Sequence, residues 1–238
     1  MEDFLRDNYT LLTKTVEIIA AISGLFVYSK FKSTNVKFFI WILIGIAILE
    51  LIGGYTIYIE RYEFLEPLRN KIKGTKIETN HWMYTLFWKI GATIAFVYYF
   101  LLWIKGPIFK NILKILTAGF IIVSAVVIGS NFSIFFNTSF RSIGITSSLL
   151  IMIAVVFYLI QILQSERILQ FYKSINFIIA ATLLIWYLIT TPLIFYDIYF
   201  SRDDMPYVVL KSSILLFSNI FMYITFSIAL LWCKPENN

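Results

Sequence analysis

The sequence predicts an all-α integral membrane protein, a bundle of seven transmembrane helices. Three observations predict it. The 238 residues are 59% hydrophobic and only 14% charged, with a mean hydropathy of +0.79, whereas soluble domains carry about 25% charge. Seven apolar runs, at about 9–28, 36–59, 82–104, 108–128, 144–163, 175–196 and 208–232, each reach the roughly 20 residues that cross the hydrocarbon of a bilayer. They are too long and too continuously apolar for barrel strands, and a backbone in lipid must satisfy its own hydrogen bonds, so they are helices. No polar block is long enough to fold alone, which leaves one domain over 1–238.

The first run follows "MEDFLRDNYT", acidic and polar where a cleavable leader is basic and then apolar, so it is expected to be retained. It carries Glu17. The second run carries Glu50, with Gly53 and Gly54 three and four residues on, a small-residue face that lets a neighbouring helix approach. The segment "ERYEFLEPLRNKIKGTKIETN" that follows reads as solvated, with a short surface helix placing Leu65 and Leu68 on the headgroups.

His81, the only histidine, opens the third run as an interfacial residue. Trp82, Thr85, Lys89 and Thr93 then form a polar-tipped stripe at helical spacing. The turn "KGP" introduces the fourth run, and "SNFSIFFNTSFR" separates it from the fifth. The sixth holds Thr190, Thr191 and Pro192, where the proline frees a backbone carbonyl that the threonines could satisfy. The seventh offers Ser212, Asn219 and Tyr223 and ends near Cys233, a small apolar residue at a helix end. Tyr9, Tyr28, Tyr58, Trp82, Trp103, Tyr199, Tyr207 and Trp232 mark the helix ends, as amphipathic rings favour the headgroup level.

Orientation follows from the basic residues. Lys30, Lys32, Lys37, Lys105, Lys110, Lys114, Arg167, Lys173 and Lys234 fall on one side with only Glu166 and Glu236, and that side is expected to be cytoplasmic. Arg6, Lys14, Arg61, Arg69, Lys71, Lys73, Lys76, Arg141, Arg202 and Lys211 fall on the other, five of them in the loop 60–80. With that loop set aside, the amino terminus is outside and the carboxyl terminus inside, in a multi-pass inner-membrane protein. The net charge of +6 is scattered through loops and forms no stripe, so nucleic acid is not an expected partner.

The candidate site consists of Glu17, Glu50 and Lys89, together with Thr85, Thr93, Asn219 and Tyr223. A mid-bilayer charge costs about 2.5–3.5 kcal/mol on insertion scales, so each needs a partner or water. At 1.5 Å per residue, Glu17 lies roughly 12 Å below Tyr9, Glu50 roughly 13 Å before Ile59, and Lys89 roughly 10 Å after Trp82. Equal depth on three neighbouring helices predicts an acid–base–acid cluster in the outer half. It serves either as packing glue or as the lining of a ligand or ion site, and Glu50→Gln with Lys89→Met is expected to compensate. Alternatively, Lys89 snorkels toward the interface.

No second histidine, phosphate loop or nucleophile elbow appears, so no metal, cofactor or catalytic residue is expected. The order of "NHWMYTLFW", "FYLIQIL", "SINF", "WYLITTPL", "SNIFMY" and "LWC" resembles a group of uncharacterised seven-span integral membrane proteins of Bacteroidota. These are similar to the membrane sensor modules of bacterial signalling kinases. The resemblance implies a sensor or signal-transducing protein whose partners are the lipid bilayer and a separate signalling protein. A channel, a membrane-permeabilising effector or a small-solute transporter is the alternative. An intramembrane lipid enzyme is a third reading, and it requires Glu17 and Glu50 to converge with Lys89 elsewhere.

Overall fold

A computed structural model describes residues 2–165, 171–196 and 204–235. Glu166, Arg167, Tyr199, Arg202 and Glu236, which entered the charge and aromatic arguments, lie outside the described residues, as does the side chain of Arg6. The described regular structure is helical throughout. Seven helices are long and apolar enough to cross a membrane: Asn8–Phe26, Val36–Arg61, His81–Trp103, Pro107–Ser130, Arg141–Leu163, Ile175–Tyr196 and Met205–Trp232. They are called spans 1 to 7 below.

Local chemistry explains the ends. Span 4 opens on Pro107 and span 7 carries a proline in its first turn, where the missing N–H would have no helical partner anyway. The Asp204 side chain caps span 7 by accepting from the Tyr207 amide at 3.3 Å. Gln161 of span 5 ties the turn between spans 3 and 4. Its amide donates to the Trp103 carbonyl at 3.0 Å, and its carbonyl accepts from the Gly106 and Lys105 amides. The segment after span 2 does form a short exposed helix, Glu66–Ile72, with Leu68 on the surface.

Spans 1, 2, 3, 5, 6 and 7 close into a ring. Span 2 packs on span 1, span 1 on span 7, span 7 on span 6, span 6 on span 5, span 5 on span 3, and span 3 back on span 2. Span 4 stands outside, against spans 3 and 5, and is the least buried of the seven at 17%. One half of the ring interior is filled by aromatic rings. Phe39 packs on Phe226 at 4.9 Å and on Tyr99 at 5.6 Å, and Phe100 on Tyr158 at 5.6 Å. The Tyr99 hydroxyl donates to the Asn176 side chain, both fully buried. Tyr99→Phe is expected to cost about 1 kcal/mol, read as a lower unfolding temperature in detergent; an unchanged temperature would deny this bond a structural role.

Two departures from regular α-helix matter for the site. Span 2 breaks after Gly53, and a second helix, Tyr55–Arg61, continues it. The Gly53 carbonyl so exposed accepts from Asn80 Nδ2 at 2.7 Å. In span 3, residues Tyr84–Ala92 wind as a π-helix; such wide turns often occur at functional sites.

Candidate functional site

The opposite half of the ring holds a cavity of about 390 Å³. Span 1 contributes Tyr9, Thr10, Thr13, Lys14 and Glu17. Their spacings, 9–13–17 and 10–14–17, put all five on one helical face. Glu50 and the Gly53–Gly54 break come from span 2, Asn80, Tyr84 and Trp88 from the start of span 3, Trp186 from span 6, and Asn219 and Tyr223 from span 7.

Hydrogen bonds organise the walls. The Tyr84 hydroxyl donates to Glu50 Oε2 at 2.9 Å, and the Tyr223 hydroxyl donates to the Glu17 carboxyl group. Trp186 Nε1 donates to Asn219 Oδ1 at 2.8 Å. The Lys14 ammonium donates to the Tyr58 hydroxyl at 2.9 Å, and its charge acts on both carboxyl groups. Glu17 is only 4% exposed, and its Oε2 finds no hydrogen-bond partner among the described residues.

The double glycine makes this arrangement possible. A Cβ on Gly53 would stand 2.7 Å from Met83 Cε and 2.8 Å from the Tyr84 hydroxyl oxygen; one on Gly54 would meet the Lys14 ammonium and, at 2.9 Å, the Tyr58 ring. The small-residue face of span 2 therefore admits a lysine from one neighbour and a tyrosine from the other.

Of the seven residues expected at the site, Glu17, Glu50, Asn219 and Tyr223 share the cavity. Lys89, Thr85 and Thr93 do not line it. The expected Glu–Lys–Glu cluster is corrected here: Lys89 Nζ donates to Ser139 Oγ at 2.6 Å and to the Phe140 carbonyl at 2.9 Å, beside Gly144. Thr93 Oγ1 donates to the Lys89 carbonyl at 2.6 Å and lies 2.5 Å from Ser147 Oγ, while Thr85 is fully buried with no hydroxyl partner among the described residues. Depth along a helix does not specify direction around it. The stripe Lys89 belongs to faces span 5, with its ammonium on Ser139 and Phe140 beside Gly144 and Thr93 on Ser147. Lys89→Met is accordingly expected to loosen residues 131–140, seen as faster amide exchange there, without altering the cavity; unchanged exchange would contradict the anchoring role.

Two smaller expectations change as well. Thr190 Oγ1 donates to the Trp186 carbonyl at 2.9 Å and not to the carbonyl freed by Pro192. Ser212 is not among the cavity residues. Lys14, Tyr84, Trp186 and Asn80 are site residues that the sequence reading passed over. Lys14 was counted with the boundary charges, although its spacing to Glu17 already placed both on one face.

Among the described residues, no group of three His, Cys, Asp or Glu side chains could hold a metal. No protein-family model, curated protein or solved structure matches this chain.

Proposed function

We propose that this membrane protein is a sensor that takes a small polar ligand into the half-bundle cavity and acts through a separate partner protein, with the amino terminus outside the inner membrane. The observation carrying this reading is that the cavity occupies one half of the ring only. Tyr223, in its wall, meets Phe226 at 6.2 Å, and Phe226 continues into the Phe39–Tyr99 cluster. A void that ends on packed rings suits binding better than conduction. The resemblance to kinase-linked sensor modules points the same way.

A channel or transporter is the second reading, favoured by one observation: Lys14, Glu17 and Glu50 line a void within the spans, where ionisable residues often mark an ion or substrate path. The lipid-enzyme reading required convergent carboxyl groups away from Lys89. That condition is met, but Lys14 takes the basic position beside them, and Tyr84 and Tyr223 are bonded to the two acids.

Purified full-length protein in liposomes separates the first two readings. The expected result is potassium and proton flux indistinguishable from empty vesicles. Flux above background that disappears in Glu17→Gln would replace the sensor by the transport reading.

A further inference from the structure

Resting on the reading of the cavity as a ligand site, we infer that its ligand is a small organic cation, a protonated amine. Two carboxyl groups and one ammonium line the cavity, so it presents more acidic than basic groups. Four of the donors in its walls are already engaged: Tyr84 on Glu50, Tyr223 on Glu17, Trp186 on Asn219 and Asn80 on Gly53. The most deeply buried group left over is an acceptor. Glu17 is 4% exposed, and its Oε2 has no partner among the described residues.

A buried carboxylate oxygen without a donor is costly unless something supplies one. An alkylammonium supplies three N–H donors and no acceptor, and it adds the positive charge that Lys14 alone does not. An anion would meet two carboxyl groups in a space with one ammonium. The volume decides between an inorganic and an organic cation. About 390 Å³ is far larger than a bare alkali ion needs and lies within the roughly 300–1,000 Å³ of small-molecule sites. The indoles of Trp88 and Trp186 line the same space, and aromatic faces attract cations, most strongly when desolvated. The ammonium would sit on Glu17 Oε2, in the space that the two indoles line.

Calorimetric titration of the full-length protein in lipid nanodiscs tests this with three probes that share a ring and differ in head charge: phenethylammonium, 2-phenylethanol and phenylacetate. Phenethylammonium is expected to bind saturably and at least about tenfold more tightly than the other two, a difference of about 1.4 kcal/mol. Glu17→Gln is expected to remove that preference, and Lys89→Met, outside the cavity, to keep it. Equal binding of the three probes, preference for the neutral or anionic one, or no binding overturns the inference; so does displacement of the amine by millimolar sodium at constant ionic strength, which would assign the charge to an alkali ion. Should Glu17→Gln fail to fold, the wild-type charge series decides alone. Preference for a neutral or anionic probe would leave the sensor reading standing, whereas liposome flux would remove that reading whichever probe binds.

Discussion

Lys14→Met is expected to lower stability by about 1.5–3 kcal/mol, the usual worth of a hydrogen bond from a charged group, here the one the ammonium donates to the Tyr58 hydroxyl at 2.9 Å. The substitution leaves Glu17 and Glu50 facing one cavity with their nearby cation gone. It also empties the space beside Gly54 that the ammonium fills. Adding Glu50→Gln should recover part of the loss, since one of the two unbalanced acids is then removed. The same Glu50→Gln combined with Lys89→Met should instead add within about 0.5 kcal/mol, because Lys89 is bonded to Ser139 and Phe140 and Glu50 to Tyr84. Chemical unfolding in detergent of the three single and two double variants closes both cycles. Coupling between Glu50 and Lys89, with none between Glu50 and Lys14, would restore the cluster first expected from helix depths and remove the one described here.

Gly53→Ala should cost about 1–3 kcal/mol, the usual penalty for forcing atoms into a filled site. Its Cβ would arrive 2.7 Å from Met83 Cε and 2.8 Å from the Tyr84 hydroxyl oxygen, so Tyr84 must withdraw from Glu50 or span 3 must move. Gly45, on the same helix, is the natural comparison. Nothing lies within 4 Å of a Cβ there, and alanine should be neutral or stabilising by up to about 1 kcal/mol, through helix propensity alone. Thermal unfolding of the two variants side by side reads the difference. If both substitutions raise the unfolding temperature, spans 2 and 3 are not packed as described.

The contrast between Lys14 and Lys89 shows how far the sequence could be read. Both lie in apolar helices, and depth alone pairs Lys89 with Glu50. Depth follows from residue count, because every α-helical residue rises about 1.5 Å, and by that count Glu17 and Glu50 share a level; both line the cavity. Direction around the axis depends on which neighbours the helix has. On span 1 the residues at 9, 10, 13, 14 and 17 share a face, so Lys14 was legible beside Glu17 once that face was known to point inward. On span 3 two polar stripes compete: one carries Tyr84 and Trp88 into the cavity, the other carries Thr85, Lys89 and Thr93 to span 5. Nothing local ranks them, and the π-helical winding over Tyr84–Ala92 shifts both from ordinary α-helical spacing. Asn219 and Tyr223 were found for a simpler reason, that polar groups inside an apolar helix rarely face lipid.

By itself the sequence determined the all-helical architecture and the seven spans to within a few residues, because hydropathy and helical rise are properties of contiguous residues and need no knowledge of neighbours. The tertiary structure alone decided that span 7 closes on span 1, that span 4 stands outside the ring, and that Lys14 and not Lys89 accompanies the carboxyl groups. Those outcomes depend on contacts between residues as much as 200 positions apart, such as Lys30 with Leu230, and on the orientation each helix adopts once all its neighbours are in place.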